Sequence, residues 1–96
     1  MTTTIQAVDL VLEEKQSELL HSKMKRIAYA EDLVVDLHFS IKYEKEYKIE
    51  ATVNFRWGAQ AHVCGEGRDF AEAVNLMMDA LDNKIRKEKE KFQDKK

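Results

Sequence analysis

The sequence predicts an α+β protein with the element order βαβββα, built as a four-stranded mixed sheet with two roughly parallel helices packed on one face. Apolar residues recur at helical spacing in two separate stretches, one over residues 13–27 and the other from residue 69 onward. Between these stretches apolar and polar residues alternate, which is typical of strands with one buried face. A threonine-rich segment over residues 2–7 has the composition of a further strand before the first helix.

The first helix is predicted to extend from Glu13 to Ile27. Its apolar positions recur at helical spacing, with mostly charged residues between them. Acidic residues at its beginning and Lys23, Lys25 and Arg26 at its end have the charges that the helix dipole favours. The resulting stripe contains Leu12, Gln16, Leu19, Leu20, Met24 and Ile27.

Three antiparallel strands are predicted after the first helix. The second and third strands form a hairpin with its turn around residues 44–46, and Gly58 supplies the next turn. The residues predicted to face the core from the hairpin are Leu33, Val35, Leu37, Phe39, Ile41, Tyr47, Ile49, Ala51, Val53, Phe55 and Trp57. The fourth strand covers residues 59–65, with Ala61 and Val63 on the core side and His62 and Cys64 on the other.

The second helix is predicted to begin at Asp69. Asp69 and Glu72 have the spacing of a capping box, and the segment Gly65-Glu66-Gly67 is interpreted as the turn between strand and helix. The apolar stripe that should pack on the sheet contains Phe70, Ala73, Val74, Met77, Met78, Leu81 and Ile85, with Phe92 continuing it near the end.

Positive charge is concentrated at the end of the second helix. Residues 84–96 contain seven basic and three acidic residues, a net charge of +4, so the remaining residues carry −6 within the total of −2. If the first helix is a right-handed crossover, both helices reverse across the sheet in the same direction, and their basic C-terminal ends meet. The surface predicted to bind anions comprises Lys23, Lys25, Arg26, Lys84, Arg86, Lys87, Lys89 and Lys91.

Lysine and arginine on a rigid helix suit RNA, because RNA affinity depends largely on neutralising phosphates and because an A-form helix is recognised by its shape and backbone. The simpler interpretation of the same residues is a solvated helix end with favourable dipole contacts and i,i+4 ion pairs. Convergence of two separate basic stretches at one end of the molecule favours RNA.

Composition limits the classes of protein to which the chain can belong. A chain of 96 residues predicts one domain over residues 1–96, and a single cysteine excludes an internal disulfide. Short apolar runs predict no membrane span, and the N-terminus has no basic segment of a signal peptide, so a cytoplasmic location is expected. His62 and Cys64 could supply half of a zinc site, but no other ligands are evident, so no metal and no cofactor is predicted.

Two patterns resemble a known family when they are taken with the element order. They are the junction Glu66-Gly67-x-Asp69 and the ending Leu81-x-x-Lys84-Ile85-x-Lys87-x-Lys89-x-Lys91. The chain resembles, over nearly its whole length, the short ribosome hibernation-promoting factors and ribosome-associated inhibitors, once labelled sigma-54 modulation proteins. It departs from the family pattern at Ala80 and Asn83, where basic residues are usual.

This resemblance implies a translation inhibitor that is not an enzyme. Members bind the small ribosomal subunit and its ribosomal RNA in the channel where messenger RNA and transfer RNA anticodons sit, and they favour ribosome hibernation under stress and in stationary phase. The chain resembles the short form without a C-terminal dimerisation domain, so a second factor would be needed to form ribosome dimers. Neither a membrane nor DNA is expected as a partner.

Two other classes of function stay open on sequence grounds. A protein-interaction or regulatory module could act through the polar sheet face, on which Lys42, Lys48, Arg56, His38 and His62 are predicted to lie. A small enzyme acting on phosphate esters is disfavoured, because no nucleophile and base can be paired in the sequence.

Overall fold

The structure is a computed structural model that describes residues 1–8 and 10–94, with the side chains of residues 92–94 left out. The predicted order βαβββα and the four-stranded mixed sheet are confirmed. The elements are β1 (Thr2–Val8), α1 (Glu14–Met24), a 3₁₀ segment (Lys25–Ala30), β2 (Val34–Glu44), β3 (Glu46–Phe55), β4 (Gln60–Gly67) and α2 (Phe70–Asp94). The predicted continuation of the apolar stripe at Phe92 lies outside the described side chains.

The sheet has the strand order β1-β2-β3-β4. β1 pairs parallel with β2, placing Ile5 beside Phe39, and this pairing is the one that the crossover helix α1 allows. β2 and β3 pair antiparallel with Phe39 beside Ala51, and β3 and β4 pair antiparallel with Ala51 beside Val63. One apolar row thus crosses all the strands and faces the helices.

Both helices run in the same direction over the apolar face, as predicted. The first turn of α1 lies near the start of α2, because Gln16 Nε2 is 3.4 Å from the hydroxyl of Tyr47, whose ring packs edge-on against Phe70. The chain just after α1 contacts the middle of α2, where Arg26 bonds to Asp79. The C-terminal ends of the two helices therefore point toward the same end of the molecule.

The core is one cluster between the helices and the sheet. Every residue of the predicted α2 stripe from Phe70 to Ile85 is buried, and Leu20 of α1 is fully buried with them. The stripe ends at Ile85, where basic residues begin. At about 1.5 Å per residue, the 25 residues of α2 extend roughly 37 Å along a molecule 45 Å long.

The prediction that Val35 faces the core is wrong. Val35 is 54% exposed and Val34 is 4% exposed, because the pairing of β2 with β3 shifts register between Val34 and Asp36. An extra residue on one strand changes the face on which the following side chains lie. From Leu37 onward the predicted alternation of buried and exposed residues holds, so the register shift affects only the beginning of β2.

The first α-helix ends at Met24, three residues before the predicted end at Ile27, and the chain continues as a 3₁₀ segment. Ile27 and Ala30 are both fully buried. Residues three apart eclipse one another in a 3₁₀ helix, so the tighter winding turns both side chains toward the core. The same winding brings Tyr29 to the outside, beside α2.

Gly65 and Gly67 do not form the predicted turn, since both lie inside β4 and pair with β3. They are small because α2 passes very close to this strand. A Cβ atom on Gly65 would lie 2.3 Å from the backbone nitrogen of Met77, and one on Gly67 would lie 2.7 Å from that of Ala73. The connection to α2 is instead made by residues 68–69.

Asp69 caps α2 as predicted. Its carboxylate Oδ1 accepts a hydrogen bond of 2.8 Å from the backbone N–H of Glu72. Replacing Asp69 by alanine is expected to destabilise the protein by about 1 kcal/mol, which for a domain of this size lowers Tm by roughly 4–8 °C. Thermal unfolding followed by circular dichroism measures the change. Asp69→Asn keeps an acceptor and should melt near the wild type, and equal melting of both variants with the wild type would exclude the cap.

Candidate nucleic-acid interface

The 3₁₀ segment that follows α1 contacts α2 through two acidic residues of α2. Arg26, in the 3₁₀ segment, lies with Nη1 2.7 Å from Oδ1 of Asp79 and Nη2 3.7 Å from Oδ2 of Asp82. Asp82 is only 8% exposed, whereas the side chain of Asp79 is 59% exposed. The guanidinium of Arg26 is therefore held by two carboxylates and much of its charge is compensated.

Asp82 also bonds two other residues. Its Oδ1 accepts a hydrogen bond of 2.5 Å from the hydroxyl of Tyr29 and one of 3.2 Å from Nε of Arg86. The two arginines predicted from separate parts of the chain thus come together, with a carboxylate between them. Such a shared acceptor relieves the repulsion that two neighbouring cations would otherwise have.

Tyr29 has cations over its ring. The Cζ atom of Arg86 is 5.8 Å and the Nζ atom of Lys89 is 6.0 Å from the ring centroid, both within the range of cation–π attraction. Partial burial, followed by the hydrogen bond to Asp82, raises the pKa of the Tyr29 hydroxyl, so it stays protonated at neutral pH and remains a donor. Contact with Tyr29 and the charge of Asp82 raise the pKa of Arg86, which remains a cation.

The basic residues of α2 lie on two sides of the helix. Arg86 and Lys89 face Tyr29 and the end of α1. Lys84, Lys87 and Lys91 follow one another at spacings of three and four, and at 3.6 residues per turn they lie about 150° around the helix from the α1-facing side. These three residues form what we call the lysine row, and it flanks the buried stripe on the side away from α1.

Several of the predicted cations make no ion pair with any side chain that the structure describes. They are Lys23, Lys25, Lys84, Lys87 and Lys89. Lys91 lies 3.8 Å from Glu88, an i,i+3 pair in which the lysine is exposed and the glutamate side chain is only 15% exposed. Lys25 and Lys87 are exposed, whereas Lys23, Lys84 and Lys89 are half-buried. The helix ends therefore present positive charge that is not already neutralised.

The sequence interpretation did not identify Tyr29, Asp79 and Asp82 as part of this surface. Tyr29 gave no periodic signal because it lies in the 3₁₀ segment, outside the predicted helix. Asp82 and Arg86 are at i,i+4 on α2, so their ion pair could have been predicted. The partner that buries Asp82 is 53 residues away in the sequence and gave no local signal.

The polar sheet face has mixed and partly compensated charge. Lys48 lies 3.7 Å from Glu50 and 3.9 Å from Glu66. His62 Nδ1 is 3.0 Å from the Thr52 hydroxyl. The prediction that Arg56 lies on this face is wrong, because β3 ends at Phe55 and Arg56 lies in the turn after it. Within residues 1–8 and 10–94, no group of three histidine, cysteine or acidic side chains could hold a metal ion.

No helix in the described part of the chain is long and apolar enough to cross a membrane.

The fold and the uncompensated lysines at the helix ends define a small α+β protein with one end suited to polyanions. The chain matches the family model described as Sigma 54 modulation protein / S30EA ribosomal protein over residues 3–93. It therefore belongs to this family, which confirms the resemblance seen in the sequence.

Solved structures with the same fold are similar over nearly the full chain. A ribosomal subunit interface protein from Coxiella burnetii has a TM-score of 0.85 at 22% identity, covering 93% of this chain and 98% of that one. The N-terminal domain of Protein Y from Thermus thermophilus has a TM-score of 0.77 at 17% identity, covering 91% of this chain and 98% of that one. These likenesses support the fold. No curated protein sequence matches the chain.

Proposed function

We propose that this protein is a translation inhibitor that binds the small ribosomal subunit and holds ribosomes in hibernation under stress or in stationary phase. It acts as one domain over residues 1–96 in the cytoplasm, without catalysis and without a cofactor. The predicted basic residues other than Arg26, whose charge two carboxylates compensate, contact ribosomal RNA in the decoding channel, where they exclude messenger RNA and transfer RNA. A separate factor joins inactive ribosomes into dimers.

The observation that carries this proposal is the set of uncompensated lysines at the helix ends of a chain that belongs to a ribosomal protein family. A rigid helix keeps the backbone positions of these lysines at a fixed spacing, so only side-chain freedom is lost when they bind fixed phosphates. The family membership supports the ribosome as the source of those phosphates, and the position of the charge supports the helix ends as the contact surface.

The distribution of charge supports an oriented approach. The basic ends of the helices lie at one end of a molecule 45 Å long, while near the β2–β3 hairpin at the other end Glu44, Glu46 and Glu66 lie with Lys42 and Lys48 in a group whose net charge is −1. The net charge of −2 disfavours unspecific attachment to nucleic acid, whereas the separation of charge aligns the basic end with an RNA surface.

Co-sedimentation of the full chain with purified small subunits through a sucrose gradient tests the proposal. With about four phosphate contacts, the affinity should fall roughly 10²-fold between 50 and 200 mM salt. Small subunits preloaded with messenger RNA and transfer RNA should bind less protein, because the decoding channel is already filled. Affinity that does not depend on salt would exclude the basic helix ends as the contact surface. Equal binding to preloaded subunits would exclude the decoding channel as the binding site.

A further inference from the structure

Arg86 differs from the other cations of the helix ends because its side chain is held in place. Within the described part of the chain, its hydrogen bond and its ion pair both use Nε, which lies 3.2 Å from Oδ1 of Asp82. Apart from the contact with the Tyr29 hydroxyl, the N–H donors on its two Nη atoms remain for a second acceptor. A guanidinium bonded at Nε keeps its plane fixed, so less freedom is lost when the Nη atoms bind a planar or tetrahedral oxyanion.

Asp82 is itself held by two residues of the 3₁₀ segment that follows α1. The Tyr29 hydroxyl donates a hydrogen bond of 2.5 Å to Oδ1, and Arg26 lies 3.7 Å from Oδ2. Asp82 is 8% exposed, and this burial limits the rotamers that its carboxylate can adopt. The chain Tyr29–Asp82–Arg86 therefore transmits the position of the 3₁₀ segment to the guanidinium of α2.

A concave site lies next to this guanidinium. Tyr29, Arg86, Lys89 and Glu90 line a cavity of about 450 Å³ that is open to solvent. Tyr29 is 43% exposed and forms an aromatic wall, with Lys89 about two helical turns beyond Asp82 and near the ring. Arg86 and Lys89 suit an oxyanion, and with Glu90 the charged side chains of the lining have a net charge of +1. Because the cavity is open to solvent, the rest of a nucleotide can lie outside it.

Arg26 is the contrasting case. Both of its Nη atoms lie near carboxylates, one of them at 2.7 Å from Asp79. A phosphate that approached Arg26 would have to compete with Asp79 and Asp82 for the same donors. Arg26 thus stabilises the junction of the two helices, whereas Arg86 can present free donors to a partner.

We infer that Arg86 and Lys89 form a binding site for one phosphodiester group of RNA, and that Asp82 and Tyr29 are positioning residues that hold Arg86 for it. This inference rests on the proposed function, since ribosomal RNA is the ligand. Arg86 binds the phosphate oxygens through its two Nη atoms, Lys89 adds a second charge, and the ring of Tyr29 limits how the sugar and base can lie.

The substitution Asp82→Asn tests this inference by the sign of its effect. It removes a negative charge beside the site, so an effect of charge alone would tighten the binding of small subunits. Loss of positioning would weaken it, and we expect binding about fivefold weaker at one fixed salt concentration. Unchanged or tighter binding would overturn the inference. Thermal unfolding identifies any loss of folded protein in the assay.

Tyr29→Phe and Arg86→Lys provide a second test that leaves the charge unchanged. Tyr29→Phe keeps the ring and loses the hydroxyl, and we expect about fivefold weaker binding. Arg86→Lys replaces the planar guanidinium and its two Nη donors by a single ammonium group, and we expect about tenfold weaker binding. If Tyr29 acts through Arg86, the double variant should lose about tenfold, whereas independent contributions would multiply to about fiftyfold and overturn the positioning role.

The matched controls are Tyr43→Phe and Arg68→Lys, which make the same chemical changes on exposed residues at the other end of the molecule. Both should bind small subunits like the wild type. Small subunits that bind wild-type protein and all variants equally would overturn this inference and leave the proposed function standing. Wild-type protein that fails to bind small subunits at low salt would overturn both.

A measurement without RNA tests the anchor directly. The Nε–H group of Arg86 should give a separate, slowly exchanging signal in ¹H–¹⁵N spectra of the full chain, because that hydrogen is bonded to Asp82. The signal should exchange at least about tenfold faster in Asp82→Asn and in Tyr29→Phe. Fast exchange in the wild type would show that Arg86 is not held and would overturn the inference.

Discussion

Replacing Lys84, Lys87 and Lys91 together by glutamate is expected to weaken binding to small ribosomal subunits by about 10³-fold or more. Near 0.1 M salt, each phosphate contact contributes close to a factor of ten through released counterions, and three contacts are lost at once. The new carboxylates add repulsion from the RNA backbone. Filter binding or co-sedimentation with small subunits at constant salt measures the loss.

The fold should survive this replacement. None of the three side chains of the lysine row belongs to the core cluster. Glutamate favours the helix about as well as lysine, although three acids near the C-terminal end of α2 cost roughly 0.3–1 kcal/mol each against the helix dipole. The variant should therefore keep its circular dichroism spectrum and unfold in one transition at a moderately lower temperature.

The matched control reverses the same number of charges at the other end of the molecule. Lys15, Lys42 and Arg68 are all exposed, and glutamate in place of Lys15 or Arg68 lies near the start of a helix, where it is favoured. This control variant should bind almost like the wild type, apart from the effect of net charge on the rate of approach. Equal weakening in both variants would mean that total charge, and not the lysine row, determines binding.

Substituting alanine for Gly65 is expected to have the largest effect on stability. The added Cβ atom would lie 2.3 Å from the Met77 nitrogen and 2.6 Å from the Ala73 carbonyl oxygen, which are backbone atoms of α2 and cannot rotate away. The helix must move off the strand, and the core between them loosens. We expect about 3 kcal/mol of destabilisation, or a Tm lower by roughly 12–24 °C, measured by thermal and urea unfolding.

Gly58→Ala is the appropriate comparison for Gly65→Ala. A Cβ atom at Gly58 meets no atom within 4 Å, but Gly58 has a φ of +90°, which an alanine adopts at a cost of about 1–2 kcal/mol. If Gly65→Ala were no more destabilising than Gly58→Ala, the close approach of α2 to β4 could not be the reason for the glycine. The capping and packing of α2 would then determine its distance from the sheet.

Much of the fold followed from local patterns in the sequence. The residues from Phe70 to Ile85 showed their helical period directly, because one face of α2 is buried along its whole packed length. The strands were equally clear, since the sheet has helices on one side only and its residues alternate. Such patterns record which side of each element is buried, and for that reason they predict elements and their order.

The predictions from sequence were wrong at positions where a contact between distant parts of the chain changes the local backbone geometry. The register shift before Leu37 moves Val35 to the surface, and the burial of Ile27 and Ala30 favours a 3₁₀ segment over a continued α-helix. Gly65 was interpreted as a turn because glycine is common in turns. Its actual reason is a neighbouring helix backbone, which a single sequence does not display.

The concentration of basic residues after Ile85 and their convergence with Arg26 were accessible from the sequence, because charge and topology suffice to bring the two helix ends together. Which cation is compensated and which is free depended on the tertiary structure. Asp82 lies 53 residues from Tyr29, and their contact depends on the rotation and shift of α1 against α2. These packing details separate Arg26, held by two carboxylates, from Arg86 and the lysine row, which are available to a partner.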